Sequence, residues 1–492
     1  MRQKLLNSKF TENRFKDLLL KASVEFSDNI ALNHPDGILT YKELHTAASE
    51  AAQNSSFTSS QVTVLRGNQS IEEYIQIWAS MISEKPYLPL NSKFPKDRVA
   101  RILETIDLNL GAVTQSISPT KLAYLIFTSG STGEPKGIPI NQNQLLKYSQ
   151  LIHDLIVPTS DDRILQLFDF SFDLSVHVLA LAWPNGAQVC AVPSSQILMA
   201  PRYAEDQNIT IWSSVPSVVD LCSKAGFLGP NSLPNIRAAY FAGEALTYQA
   251  AQIFAAAAPN ARILNCWGPT ENTIVISCFE VNRDLIKTKN PPNSKLEIMP
   301  IGYPLEGVEM AIWNDAKNEF YDHELEFKSG NSFQGEICVC TEQTTSGYIN
   351  RPDLNLSSFF NLENKRWYRT GDVGTWDDRY GFLYLGRIDR RIKLNGYRIE
   401  LQDCEAALRK ASGVNQCSVI PWPKKENGVV EGLWGFIAGK KLDIEVIKKE
   451  LQASLPSYMI PNNILLIDEM PLNINGKVDF KSLEKIAGDY LD

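Results

Sequence analysis

The chain has 492 residues, of which 44% are hydrophobic and 21% charged, a balance that excludes wholesale disorder in a protein long enough for two or three domains. Its 48 Lys and Arg against 56 Asp and Glu leave a formal net charge of −8. A general nucleic-acid or anionic-membrane binder is therefore not expected, since either needs a basic footprint.

The N-terminal segment 1–19 places charge in each short apolar run and has no signal-peptide core. No stretch approaches the ~18 unbroken apolar residues of a membrane-spanning helix. Val62–Arg66 is predicted as a buried strand. Ser70 and Glu73 have the spacing of a capping box, opening a helix whose Ile71, Tyr74, Ile75, Trp78, Met81 and Ile82 recur on one face. Leu122–Phe127, Gln188–Val192, Ile209–Trp212, Ala238–Phe241 and Glu336–Cys340 are further strand candidates, rich in β-branched and aromatic residues. Beyond about residue 390 the pattern shortens, to a helix over Glu400–Ala411, strands over Cys417–Pro421 and Leu433–Ile437, and a helix over Asp443–Leu455. The expected class is α/β, with a large N-terminal domain of layered sheets and helices over 1–388 and a small α+β domain over 389–492. The cysteines, at Cys190, Cys222, Cys266, Cys278, Cys338, Cys340, Cys404 and Cys417, include no C-x-x-C pair. They read as reduced thiols of a cytoplasmic protein rather than a disulfide framework or zinc ribbon.

Residues 124–137 carry the most chemistry. A strand runs into Thr128, Ser129, Gly130, Ser131, Thr132 and Gly133, and the segment closes on Pro135-Lys136-Gly137. Glycines let backbone N–H groups converge on an anion, hydroxyls add donors and a lysine adds charge, which suits a polyphosphate. The loop is not of Walker type, because Pro135 stands where that pattern needs glycine.

With this loop stand Phe172-Asp-Leu-Ser-Val-His177, Gly243-Glu-Ala-Leu246, Asn265-Cys-Trp-Gly-Pro-Thr-Glu271, Tyr368-Arg-Thr-Gly-Asp372, Gly386-Arg-Ile-Asp-Arg-Arg-Ile-Lys393, Gly396-Tyr-Arg-Ile-Glu400 and Asn475-Gly-Lys477. In this order and spacing the chain resembles the adenylate-forming enzymes, and within them the amino-acid adenylation domains of nonribosomal peptide synthesis and related stand-alone ligases. The resemblance implies two half-reactions. A carboxylate attacks the α-phosphate of ATP to give an acyl-adenylate and pyrophosphate, and a thiol then takes the acyl group. Positioning and electrostatic stabilisation carry such chemistry without a side-chain nucleophile.

The resemblance also implies roles. Thr128 to Gly133 and Lys136 match a β/γ-phosphate clamp, Thr270 the α-phosphate contact and Glu271 the Mg²⁺ ligand, a carboxylate suited to a hard cation. Trp267, where the family usually has Tyr, matches the residue that stacks on adenine. Gly243, Glu244, Asn265, Cys266 and Gly268 match segments around it. Asp372 matches the ribose ligand, since one carboxylate accepts from both hydroxyls of a diol, and Arg387 stands on the same side. Asp389 matches the hinge, Lys477 the mobile lysine of adenylation, and Lys393 with Gly396 the surface that replaces it for thioester formation. Asp173 matches the partner of the substrate α-ammonium. Leu174, His177, Ser213, Tyr240, Ala242, Cys266, Ile274 and Val275 match the rest of the amino-acid pocket. That set is mostly apolar and lacks an acidic group for a basic side chain, so a small neutral amino acid is expected: proline, alanine or serine.

Two departures stand out: Gln142, where the family often has His, and Thr341-Glu-Gln-Thr-Thr-Ser346 in place of the usual glycine- and arginine-containing run before Gly347-Tyr348. No carrier motif follows Lys477, so the phosphopantetheinylated carrier is expected to be a separate protein, with no nucleic-acid or membrane partner. The competing readings are a coenzyme A ligase of the same superfamily, disfavoured by Asp173, and a silent scaffold, disfavoured by the full motif set.

Overall fold

The strand Ala238–Phe241 runs parallel to Ile211–Ser214 on one side and Arg262–Trp267 on the other. A computed structural model describes residues 14–116, 122–128, 135–287, 298–321, 333–388, 391–424, 430–439, 442–472 and 478–491, and all element descriptions refer to these. The chain divides into two compact units. The first comprises Met1–Ser92, Leu110–Ile126 and Ile138–Ile388; the second comprises Lys93–Asn109, Phe127–Gly137 and Asp389–Asp492.

In the first unit a nine-stranded sheet carries those three strands, continues in parallel through Arg163–Gln166, Gln188–Ala191 and Ile30–His34, and is closed at both edges by antiparallel strands. Its central strands are buried throughout, which explains their near-continuous apolar sequence. A second, antiparallel sheet pairs Glu309–Asn314, Gly335–Cys340, Lys365–Asp377 and Gly381–Arg387. The helix Gln142–Ile156 starts with a reciprocal cap between Asn141 and Gln144.

Two predicted details change. The helix Ile71–Ile82 forms, and Ser70 accepts from the Glu73 N–H. The Glu73 carboxylate, however, does not reach back to Ser70. It accepts from the backbone N–H groups of Arg66 at 2.6 Å, Gly67 at 2.9 Å and Gln69 at 2.6 Å, tying down the preceding turn. The predicted strand Ile209–Trp212 is displaced to Ile211–Ser214. Asn208 sits at positive φ, and the Thr210 hydroxyl accepts from Arg163 N and donates to Asp162, so the chain is still turning there.

In the second unit the hairpin Arg391–Leu394 with Tyr397–Glu400 turns through Asn395 and Gly396, both at positive φ, as a two-residue hairpin of this hand requires. The helix Leu401–Ser412 follows and ends at Gly413. The strands Cys417–Pro421, Leu433–Ala438 and Asn463–Ile467 form a sheet in that order. Val419 and Ile437 pack with Leu408 and Leu451, while Ile420 and Phe436 pack with Leu483 and Ala487, so both faces are covered by helices. Asp443 caps the helix Ile444–Ser454.

Candidate active site

Ser213, Tyr240 and Leu264 are register partners near the C-terminal ends of three neighbouring parallel strands, the end at which open α/β sheets bind ligands. In-register parallel neighbours share a face. Against that face lies the helix Asp173–Ala182, whose fully buried His177 stacks on Tyr240 with ring centroids 3.8 Å apart and planes 13° from parallel. Tyr148, from the helix Gln142–Ile156, hydrogen-bonds His177 Nδ1 at 2.7 Å. Burial pushes the His177 imidazole down to about 3, so it is neutral at physiological pH. Among the described residues His177 Nε2 and Ser213 Oγ have no hydrogen-bond partner, although both are buried. They are polar points left available to a ligand or a water.

Asp173 is the first residue of its helix, where the dipole favours a carboxylate. It is half-buried. Leu174, Ala242, Cys266, Ile274 and Val275 are buried. Gly243 has φ +87°, and a Cβ there would lie 3.0 Å from Leu174 Cδ1, so this turn against the pocket helix requires glycine. Cys266 faces Cys278 across the antiparallel edge, their sulfurs 3.4 Å apart, and all eight cysteines are free thiols.

Beside the pocket the indole N–H of Trp267 donates to Asp372 Oδ2 at 3.1 Å. Arg387 pairs with Asp372 Oδ1 and also donates to Thr370 O at 3.1 Å. Asp372 and Arg387 are register partners on adjacent strands, which places the pair without help from a loop. A carboxylate has about four lone-pair sites. With one bond on each oxygen from these partners, Asp372 keeps acceptor capacity suited to a diol.

Gly268, Pro269 and the short turn Thr270–Asn272 follow Trp267. A Cβ on Gly268 would lie 2.5 Å from Ile274 O, so only glycine lets the turn fold back so closely. Thr270 is half-buried. Glu271 is fully buried and accepts from the Tyr348 hydroxyl at 2.7 Å, which lies 3.3 Å from that of Tyr368. No group of three or more His, Cys, Asp or Glu among the described residues is placed to hold a metal. Glu271 presents a buried carboxylate oxygen donor of the type hard cations take.

Other predicted site residues serve their neighbours. Asn265 donates to Pro300 O at 2.7 Å, and Glu244 accepts from Ser217 N at 3.0 Å at the start of the helix Pro216–Lys224. Gln142 is buried and donates to Leu122 O at 3.4 Å. In the second unit Lys136 forms a buried ion pair with Glu400 at 3.2 Å, the Thr128 hydroxyl is buried without a partner among the described residues, and Lys393 is exposed on the hairpin that turns at Gly396. Ser129, Gly130, Ser131, Thr132, Gly133, Asp389 and Lys477 lie outside the described residues. Sequence reasoning gave no role to Tyr148, Tyr348 or Tyr368. The last two sit inside quoted motifs, whereas Tyr148 has no local signal and is revealed by its contact with His177.

The family model described as AMP-binding enzyme matches residues 107–349, and that of the AMP-binding enzyme C-terminal domain matches residues 403–477. A D-alanine–D-alanyl carrier protein ligase of Streptococcus pneumoniae (strain 70585) is 32% identical over 468 residues, covering 85% of this chain and 87% of the relative. The chain belongs to the AMP-binding enzymes, a family of adenylate-forming ligases. A ligase of the same name from Bacillus cereus (strain G9842) is 29% identical and covers 95% of this chain and 98% of its own. Among solved structures, the Vibrio cholerae adenylation domain AlmE, in complex with glycyl-adenosine-5′-phosphate, shares the fold at TM-score 0.86 and 24% identity, with 98% of both chains covered. Among the described residues of this AMP-binding enzyme, no helix is long and apolar enough to cross a membrane.

Proposed function

We propose that this AMP-binding enzyme activates a very small neutral α-amino acid, alanine or glycine, as its adenylate and passes it to the phosphopantetheine thiol of a separate carrier protein. The observation that carries this reading is the stack of His177 on Tyr240, held by Tyr148, which sets three buried rings at and beside the predicted pocket positions. In this reading the three rings limit the side chain, which favours alanine over the proline and serine also expected from the sequence. Relatives named as D-alanine ligases and a neighbour solved with a glycyl-adenylate support the same size class.

In this reading Asp173 holds the substrate ammonium. Trp267 stacks on adenine, and Asp372 with Arg387 holds the ribose. Thr128 to Gly133 receive the β- and γ-phosphates, joined by Lys136 once its buried ion pair with Glu400 opens, and Thr270 receives the α-phosphate. When bound at Glu271, Mg²⁺ would neutralise phosphate charge. The substrate carboxylate attacks the α-phosphorus as the bond to pyrophosphate breaks, and Lys477 balances the charge on both partners. A thiol then attacks the acyl carbon and AMP leaves, with Lys393 and Gly396 lining its approach. Asp389 would hinge a body of residues 1–388 on a lid of residues 389–492, a division by chain order that differs from the compact units in leaving Lys93–Asn109 and Phe127–Gly137 with the body. Eight free thiols agree with a cytoplasmic setting.

The test is ATP–pyrophosphate exchange over glycine, both enantiomers of alanine, serine, proline and larger amino acids. Exchange dominated by glycine or one alanine enantiomer is expected. Preferential exchange with a larger amino acid, or none with any, would overturn the reading.

A further inference from the structure

The segment Thr341–Ser346, which departs from the usual family wording, lies against the turn that carries Glu271. Three consecutive residues meet three consecutive residues in antiparallel order. Gln343 O accepts from the Thr273 hydroxyl at 2.6 Å, the Thr344 hydroxyl accepts from Asn272 Nδ2 at 2.8 Å, and Thr345 N donates to Glu271 O at 2.7 Å. Side chains take over from a backbone ladder here because Thr273 and Ile274 have φ +56° and +77°. β-Branched residues avoid that region unless their surroundings impose it.

The segment is itself anchored from two sides. The Thr345 hydroxyl donates to Pro139 O at 2.6 Å, and Gln144 Nε2 donates to Thr344 O at 2.5 Å. Arg366 donates to Thr345 O at 2.7 Å and to Ser346 O at 2.9 Å. Gln343 and Thr345 are fully buried. The kinked turn therefore carries on one end the carboxylate read as the metal ligand and on the other Ile274 and Val275, the wall of the amino-acid pocket.

We propose that Gln343, Thr344 and Thr345 form a positioning brace that sets the Glu271 carboxylate and the Ile274–Val275 wall together. Amino-acid fit and metal binding are then adjusted by one set of hydrogen bonds. This rests on the roles given to Glu271 and the pocket wall above. The brace touches no reacting atom; it acts through the turn.

The experiment compares Thr345→Val and Thr344→Val with the hydroxyl-retaining Thr345→Ser and Thr344→Ser. Calorimetric binding of alanyl sulfamoyladenosine, with and without Mg²⁺, is measured beside pyrophosphate exchange. Each valine variant is expected to lower kcat about tenfold, raise the Mg²⁺ concentration for half-maximal exchange about fivefold and weaken the analogue about tenfold, as a small misplacement of a preorganised site does. The serine variants should recover most of each loss. If the valine variants only melt earlier, with unchanged Mg²⁺ half-saturation and analogue affinity in the folded protein, the brace is overturned. Should Thr345→Val not fold, Thr344→Val at its half-exposed position carries the same test. Glu271→Gln separates the two assignments. Unchanged Mg²⁺ half-saturation in that variant removes Glu271 as metal ligand and leaves the brace to be judged on analogue affinity.

Discussion

The indole of Trp267 gives this position a polar handle that reaches Asp372. Its ring is buried in a cluster with Ile276 and Ile301, while its indole N–H donates to Asp372. Under the proposed reading Trp267→Phe should keep an aromatic ring against adenine and lose the N–H that supports the ribose carboxylate. Because a hydrogen bond to a charged group contributes about 1.5–3 kcal/mol, the KM for ATP is predicted to rise about tenfold with a smaller change in kcat. The preference for ATP over 2′-deoxy-ATP should shrink in parallel. Steady-state kinetics with both nucleotides checks this, and an unchanged ratio would remove the role of the N–H. His177 makes a second prediction, about acid sensitivity. Its folded value of about 3 lies below the ordinary ~6.5 because of burial. Between those values the unfolded chain binds a proton that the folded chain does not. Stability from this residue is therefore complete above about pH 6.5 and is lost as pH falls toward 3, by about 1.4 kcal/mol per unit. Urea unfolding at pH 7, 6, 5 and 4 should show a shallower acid decline in His177→Gln than in wild type; equal slopes would contradict it.

At the level of elements, legibility followed burial. Ala238–Phe241 and Cys417–Pro421 have the predicted bounds because unbroken apolar runs bounded by turns leave little choice. The strand expected over Ile209–Trp212 runs over Ile211–Ser214 because Ser213 and Ser214, which lack the apolar strand signal, end it. They are buried polar residues at a strand's functional end, and periodicity carries no sign of that. Glu73 was read as a cap, yet its carboxylate serves three N–H groups outside the helix. The choice between those bonds lies in tertiary geometry. Glu73→Gln, which retains one acceptor oxygen and presents an amide to N–H donors, should destabilise by about 2–4 kcal/mol. The urea midpoint measures it, and a loss under ~0.5 kcal/mol would show the turn holds without the charge. Similarly, the motifs named Trp267, Asp372 and Glu271 one by one, but their bonds to one another and to Tyr348 join segments far apart in sequence, where no local pattern reaches.

For the whole molecule, the motifs are shared between the two units. Glu271 and Asp372 belong to the first, Lys136, Glu400 and Lys393 to the second. Under the proposed reading the adenylation lysine is Lys477, in the C-terminal family-matched region. Lys477→Ala is predicted to lower pyrophosphate exchange by roughly 10²–10³-fold, the scale of losing one preorganised charge at a transition state. Transfer from a preformed adenylate to a carrier thiol should remain largely intact. Single-turnover assays of each half-reaction separate the two, and equal loss in both would refute a role confined to adenylation.

The hydroxyl of Tyr148 bears on how such an enzyme changes its preference over generations. Exchanging His177 alone for a small apolar residue removes the hydrogen bond to that fully buried hydroxyl, at a cost of about 1–3 kcal/mol. A lineage moving toward larger amino acids would therefore need a paired change on the helix Gln142–Ile156, or an inserted water, before the new pocket becomes neutral. Under the proposed reading, drift in specificity would be slowed by a residue outside the sequence motifs of the pocket.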